Sequence, residues 1–282
     1  MAGGAGEAGE DMDPHMAQPP GLAKATRRLR AGAGLGNTRR LAGRLTTLLW
    51  PSRPLISDAR GAGAGLLPAE DWVRLTFLGP PQCDSCGLPL QIDLGEAETC
   101  AACIAKPPAW ARARAALAYD DASRRIVLDL KRAGRRDGLS LISGWMARAG
   151  ADILADADLV VPVPLHYRRL VQRGYNQAGW LAQAVARKSG VPVKVAALKR
   201  TKATPSQGGL SARARKRNVA GAFAIRPRYA PAIEGRRIVL VDDVLTTGAT
   251  LSGCVRALRA AGASEVNVLV LARVVRDREI TI

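Results

Sequence analysis

The stretch IVLVDDVLTTGATLSG, residues 238–253, sets two adjacent carboxylates between four apolar residues and a hydroxyl-rich turn. So short an apolar run predicts a strand buried on both faces. Such a strand delivers Asp242 and Asp243 to the carboxyl edge of a sheet, where open α/β sheets bind ligands. The turn 246–250 then leads into a helix running to Gly262. Backbone N–H groups at a helix start, joined by the hydroxyls of Thr246, Thr247 and Thr250, form an anion cradle suited to a phosphate. Gly248 lets the backbone approach closely. Two carboxylates would repel that phosphate, so they suit hydroxyls or a hydrated Mg2+ beside it. A ribose 5-phosphate combines both chemistries, with vicinal hydroxyls at one end and a phosphate at the other.

Outward from this stretch, strand-like runs recur: LVVPVP (159–164), VKVAAL (193–198) and EVNVLVLA (265–272), with helical patterns at 175–188 and 250–261 between them. That alternation predicts a parallel sheet covered by helices, an α/β fold. Ala115 to Tyr119 adds a short strand, and Ser123 to Arg132 an amphipathic helix with Ile126, Val127 and Leu130 on one side. Toward the N-terminus, residues 1–40 are rich in Ala, Gly and Arg, and disorder is expected there. Leu41, Leu45, Leu48 and Leu49 predict a short helix stopped before Pro51, and Ser52 to Gly65 a loop. Its GAGAG (61–65) is no dinucleotide fingerprint, because no apolar strand precedes it. The expected organisation is a tail at 1–40, a helix and loop at 41–65, a cysteine module at 66–108 and an α/β domain at 109–282.

Within the cysteine module, Cys83-x2-Cys86 and Cys100-x2-Cys103 are separated by thirteen residues. Two knuckle-like turns at that spacing present four thiolates at the corners of a tetrahedron, which suits Zn2+ in a structural site with no open position. An iron–sulfur cluster or redox-active thiols are the alternatives. Gly87 supplies the permissive backbone that such a turn needs. Cys254 stands apart, at helical spacing with Leu251, Val255 and Leu258, and is expected in the core.

Composition narrows the function. The 282 residues carry a net charge of +18. Residues 196–230 hold nine Lys or Arg and no acid, so this segment attracts polyanions unless it is simply a solvated face. Nucleic acid and phosphorylated metabolites both fit. No run of about 20 apolar residues spans a membrane, and no secretory pattern opens the chain. A cytoplasmic protein is expected. A Ser-His-Asp hydrolase is excluded in practice, because the only histidines are His15, in the expected tail, and His166. No nucleophile elbow or Walker lysine is present.

The segment Ile238 to Thr250 resembles the phosphoribosyl pyrophosphate (PRPP) signature of type I phosphoribosyltransferases. Together with VVPVPLHYRRLVQRGYNQAGWLA (160–182) and RTKATPSQGGLSARARKRNVAGAF (200–223), it is similar to the ComF family of amidophosphoribosyltransferase-like proteins, over about residues 41–275. The resemblance implies a type I phosphoribosyltransferase fold, a parallel sheet flanked by helices, preceded by a small zinc ribbon. It implies that Asp242 and Asp243 hold ribose hydroxyls of PRPP, with Mg2+, and that Thr246, Thr247, Gly248, Ala249 and Thr250 hold the 5-phosphate. By the same resemblance, Val163, Pro164, Leu165 and His166 form a pyrophosphate loop, with Arg168, Arg169 and Arg173 supplying positive charge. Residues 200–217, with Lys202 and Gln207, match a mobile loop that closes over PRPP. RGYNQ (173–177) either lines the site or only starts the next helix. The family commonly carries two cysteine-pair ribbons, whereas Ser52 to Gly65 has no cysteine, so the first site is lost and 41–65 is its degenerate remnant.

The implied activity is transfer of the phosphoribosyl group to a nitrogen acceptor with release of pyrophosphate. Two alternatives stand beside it. One is a PRPP-sensing regulator. The other is a non-catalytic zinc-ribbon protein that binds single-stranded DNA with the competence machinery during DNA uptake; Tyr167, Tyr175 and Trp180 are the one aromatic cluster near the expected site.

Overall fold

The strand that carries the acidic pair lies inside a four-stranded sheet. The computed structural model describes residues 67–91, 98–132, 136, 138–201 and 221–275, which fall within a single unit, Trp50–Ile282. In chain order the elements are α1 (Ala69–Trp72), α2 (Ala101–Ala105), β1 (Ala113–Ala118), α3 (Asp121–Arg132), α4 (Leu139–Ala149), α5 (Ala151–Ala155), β2 (Leu159–Pro162), α6 (Tyr167–Arg173), α7 (Gln177–Ser189), β3 (Leu198–Arg200), β4 (Phe223–Ile225), a 3-10 turn (Pro227–Ala232), β5 (Arg237–Leu245), α8 (Ala249–Ala260) and β6 (Glu265–Arg273). The sheet order is β1-β6-β5-β2, all parallel.

Parallel strands need helical crossovers, and these cover both faces of the sheet. On one face Ile126 and Val127 of α3, Ile142 and Met146 of α4, and Leu181 and Val185 of α7 pack on Val160, Val239, Val241, Leu269 and Leu271. On the other, Leu251, Cys254, Val255 and Leu258 of α8, with Phe223 and Ile233, pack on Val161, Ile238, Leu240, Val268 and Val270. Alternate residues of β5 and β6 serve opposite faces, as the two-residue strand period requires. Cys254 is fully buried in the second core, as its spacing predicts, and burial pushes its thiol up.

Two expectations change. VKVAAL (193–198) is not a strand of the main sheet. Val193 makes a single parallel bridge to Val160; the chain then turns, and β3 pairs antiparallel with β4 in a separate two-stranded sheet. With Pro192 before it and only one bridge's length, this apolar segment leaves the sheet early and buries Ala197 and Leu198 against α8 side core residues instead. The second change concerns β5, which does not stop at the acids: pairing with β6 continues through Asp242↔Val270 to Leu245↔Arg273. The tail at 1–40, the helix and loop at 41–65, and the lid positions Lys202 and Gln207 lie outside the described residues. Among the described residues no helix is long and apolar enough to cross a membrane.

Leu240 has no exposed surface and belongs to the layer beneath the acidic pair. Leu240→Ala is expected to lower stability by about 2–5 kcal/mol, the cost of a core cavity. Urea denaturation measures it, and a loss below about 1 kcal/mol would contradict this packing.

Candidate functional site

β5, the turn after it and the loop after β2 enclose a cleft of about 280 Å³. Val163, Pro164 and Leu165 form one wall, and Thr246 to Leu251 form another. Gly248 adopts φ +69° and caps the start of α8. At that helix start the first N–H groups have no partner within the helix, an arrangement whose chemistry suits an anion. Thr246 and Thr247 are exposed there, and Ala249 and Thr250 partly so.

The two carboxylates have different surroundings because neighbours on a strand face opposite ways. Asp243 is buried and accepts a hydrogen bond from Gln177 Nε2 at 2.9 Å, while Lys131 Nζ lies 3.2 Å from the same oxygen. Arg173 donates to Gln177 Oε1 at 3.4 Å, which extends this polar chain to α6. Asp242 Oδ1 accepts the backbone N–H of Asp243 at 2.9 Å. Although Asp242 is partly exposed as a whole residue, burial of its carboxyl, and second the Asp243 charge, push it up to about 8.

Positive charge collects on the cleft's other side. Arg169 and Arg173, one helical turn apart on α6, line it together with Arg200 at the end of β3. Burial first, and then the charge of Arg169, push Arg200 down from its ordinary value. Two guanidiniums held this close favour an anion between them.

Of the residues expected at a pyrophosphate loop, Val163, Pro164, Leu165 and Arg173 line the cleft, and His166 and Arg168 do not. His166 is the N-cap of α6: its Nδ1 accepts the Arg168 N–H at 3.2 Å. Arg168 sits in the first turn of that helix and is exposed, on a different face from Arg169 and Arg173. In RGYNQ, Asn176 starts α7, Gln177 donates to Asp243, and Arg173 reaches only as far as Gln177. Lys131 lies outside every segment expected at the site, whereas Arg200 opens the 200–217 segment expected to close over it. The sequence does carry a signal for Lys131: it follows buried Val127 by four residues, so it belongs to the apolar stripe of α3 rather than its wet face.

The cysteine module sits beside the strand edge. Cys83, Cys86, Cys100 and Cys103 bring their Sγ atoms within 4.8 Å of one another, a group able to hold a metal ion. Hydrogen bonding with Cys86 holds the Cys83 thiol down to about 4 and drives that of Cys86 up, and burial pushes Cys103 up to about 12. Four close thiols therefore keep their protons on some members until a cation compensates the charge. The first knuckle is pinned to the sheet. Arg114 of β1 is nearly buried and pairs with Asp84 and with Asp152, the latter at 2.8 Å, while its Nη1 donates to the Asp84 carbonyl at 3.0 Å. Burial opposes the Arg114 charge, but these two carboxylates outweigh it and raise the pKa. Arg273 of β6 donates to the Cys86 carbonyl.

A parallel sheet with an acidic pair above a hydroxyl-rich turn defines a phosphoribosyltransferase-type domain, and the phosphoribosyl transferase domain family matches residues 173–279. The chain is 35% identical over 206 residues to the DNA utilization protein YhgH of Escherichia coli (strain K12), covering 71% of this chain and 87% of that one. It is 33% identical over 208 residues to Competence protein F of Haemophilus influenzae, covering 68% and 85%. Competence protein ComFC of Bacillus subtilis is 28% identical over 147 residues, covering 51% and 57%. The chain belongs to the ComF family, with a type I phosphoribosyltransferase fold.

Asp242 gives a pH-dependent expectation. Its carboxyl titrates near 3.8 in the unfolded chain and about 8 in the fold, so the ionised form weakens the ligand-free protein increasingly from pH 4 to pH 8. Asp242→Asn is expected to raise the melting temperature at pH 8 by a few degrees, on the order of 1–2 kcal/mol, and to leave it unchanged at pH 4. Calorimetry at the two pH values checks this; a lower melting temperature for the variant at pH 8 refutes it.

Proposed function

We propose that the cleft binds PRPP with Mg2+ and that the protein transfers the phosphoribosyl group to a nitrogen acceptor, releasing pyrophosphate. The observation that carries this reading is the division of charge within one cleft. An acidic pair sits at the strand edge, a phosphate-type turn follows it, and Arg169, Arg173 and Arg200 line the remaining rim. PRPP divides its chemistry in the same way, into hydroxyls, a 5-phosphate and a diphosphate.

On this reading Asp242 and Asp243 accept hydrogen bonds from the ribose hydroxyls, and residues 246–250 donate N–H and O–H groups to the 5-phosphate. The 163–165 loop and the three arginines surround the diphosphate. Carboxylate oxygens are suitable donors for Mg2+, and Asp242, which has no ion pair among the described residues, is the better placed of the two. The ion when bound supplies further charge neutralisation at the diphosphate. Breaking the bond from the anomeric carbon to pyrophosphate leaves the electron pair on the leaving group, and the acceptor nitrogen attacks the electron-poor carbon. The protein's share is positioning and charge stabilisation, with no covalent step on a side chain.

Zn2+ is the metal that best suits the cysteine module. A tetrahedral ion with Zn–S of about 2.3 Å separates its sulfurs by about 3.8 Å, and Cys86 and Cys100 Sγ lie 3.8 Å apart. All four ligands are sulfur, so the site is structural.

Calorimetric titration of PRPP with Mg2+ is expected to show sub-millimolar binding, with affinity at least tenfold lower in Asp242→Asn/Asp243→Asn. Absence of binding at millimolar PRPP would falsify the reading. A pyrophosphate-release screen across nitrogen acceptors then separates an enzyme from a PRPP sensor.

A second reading has its own support, in relatives named for DNA utilization and competence. Tyr175 and Trp180 stack at 4.1 Å, Arg136 lies over the Trp180 ring at 4.2 Å, and Lys199, Arg200 and Arg226 line the same cavity of about 500 Å³. Cations interleaved with aromatic rings favour a single strand. Single-stranded DNA binding that weakens steeply with salt and survives Asp242→Asn/Asp243→Asn is the expected result for this function; no retardation of DNA at 50 mM salt removes it.

A further inference from the structure

Trp110 belongs to neither the cysteine cluster nor the cleft, yet it touches both. It lies in the link between α2 and β1 and is 7% exposed. Its indole Nε1 donates to the carbonyl of Ser85 at 2.7 Å. Ser85 is one of the two residues inside the Cys83–Cys86 knuckle, so this carbonyl is placed by whatever fixes that turn. The far rim of the same ring presses on Gly248. A Cβ added to Gly248 would stand 2.5 Å from Trp110 Cη2 and 3.2 Å from Cζ3. The ring therefore fills the space beside the turn and holds its backbone where only glycine fits, at a position whose φ of +69° already favours glycine.

Nothing else in the knuckle gives way easily. Arg114 grips the Asp84 carbonyl, Arg273 grips that of Cys86, and the Ala113 N–H donates to Asp84 O at 3.2 Å. Gly87, at φ +68°, brings the turn so near β1 that a Cβ there would meet the Ala113 carbonyl at 2.9 Å. With both ends of the indole fixed, a change in the knuckle reaches Gly248 through one rigid side chain.

We propose that Trp110 is a positioning residue that couples metal occupancy of the cysteine module to the shape of the 246–250 turn, so that the metal-loaded knuckle sustains anion binding in the cleft. The link to PRPP rests on the function proposed above, whereas the mechanical coupling rests only on the geometry of Trp110. By thermodynamic reciprocity, a ligand in the turn must also strengthen the hold on the metal.

The full-length protein, loaded with one Zn2+ per chain, is compared with Trp110→Phe, which shortens the ring and removes its N–H. Zinc content is expected to be unchanged in the variant, while Mg2+-dependent PRPP affinity falls at least fivefold. Hydrogen exchange is expected to quicken at residues 246–250 and not along β6. Stripping zinc from the wild type, followed by removal of the chelator, is expected to quicken exchange at the same residues, and in Trp110→Phe to add no more than a small further change. If the variant does not fold, the wild type alone decides: saturating PRPP is expected to slow zinc transfer to a chromogenic chelator at least fivefold. Exchange at 246–250 that ignores zinc, or that responds equally in both proteins, overturns the coupling. Failure of the zinc-loaded wild type to bind PRPP counts against the function instead, and the exchange measurement still judges Trp110.

Discussion

Adjacent residues on a strand cannot share a face, and in β5 this separates the fates of Asp242 and Asp243. Asp243 follows Val239 and Val241 toward the face covered by α3 and α7, where Lys131 and Gln177 meet it. Asp242 follows Ile238 and Leu240 toward α8, where it accepts the Asp243 backbone N–H and where burial first, and then its charge, push the Cys254 thiol up. Among the described residues Asp243 is paired with Lys131, whereas Asp242 has no ion pair and feels the Lys131 charge only at longer range. Burial of Ile238 to Val241 on both sides fixes this arrangement, because a register slip of one residue would exchange the two faces.

The imbalance has a counterpart on the opposite rim. Arg200 is partly buried beside Arg169, and both effects work against its charge. Each half of the cleft therefore holds charge at some cost to the empty protein, acid at the sheet edge and guanidinium at the rim. A ligand that brings donors to the first half and an anion to the second relieves both costs. An uncharged ligand, or a simple polyanion lying across the whole cleft, relieves at most one. The acidic pair and the guanidinium rim are thus opposite chemical surroundings within one cleft.

Much of this was legible in the sequence, for reasons that also explain what was not. Strand β5 and helix α8 follow from local pattern: an apolar run, two acids, hydroxyls, glycine and a 3.6-residue stripe. The cysteine pairs are legible because metal geometry constrains spacing. VKVAAL misleads because an apolar run reports burial and not pairing; Leu198 is buried, but against the second core rather than in the parallel sheet. His166 also serves as a helix cap, a role that its position in the sequence does not announce. Lys131, Arg200 and Trp110 act through contacts between distant segments, 112 residues apart in the case of Lys131 and Asp243 (243 − 131). No periodicity encodes a meeting of that kind.

The cysteine module is held closely against the sheet. A ribbon that serves as an independent reader of nucleic acid needs a free surface and a flexible tether. In this protein the first knuckle has its backbone carbonyls at Asp84, Ser85 and Cys86 occupied by Arg114, Trp110 and Arg273 respectively. Three consecutive carbonyls of that turn are thus directed onto the domain beneath it. The knuckle acts as a footing against β1, β6 and, through Trp110, the turn at Gly248. On the second knuckle, Ile104 of α2 is 70% exposed.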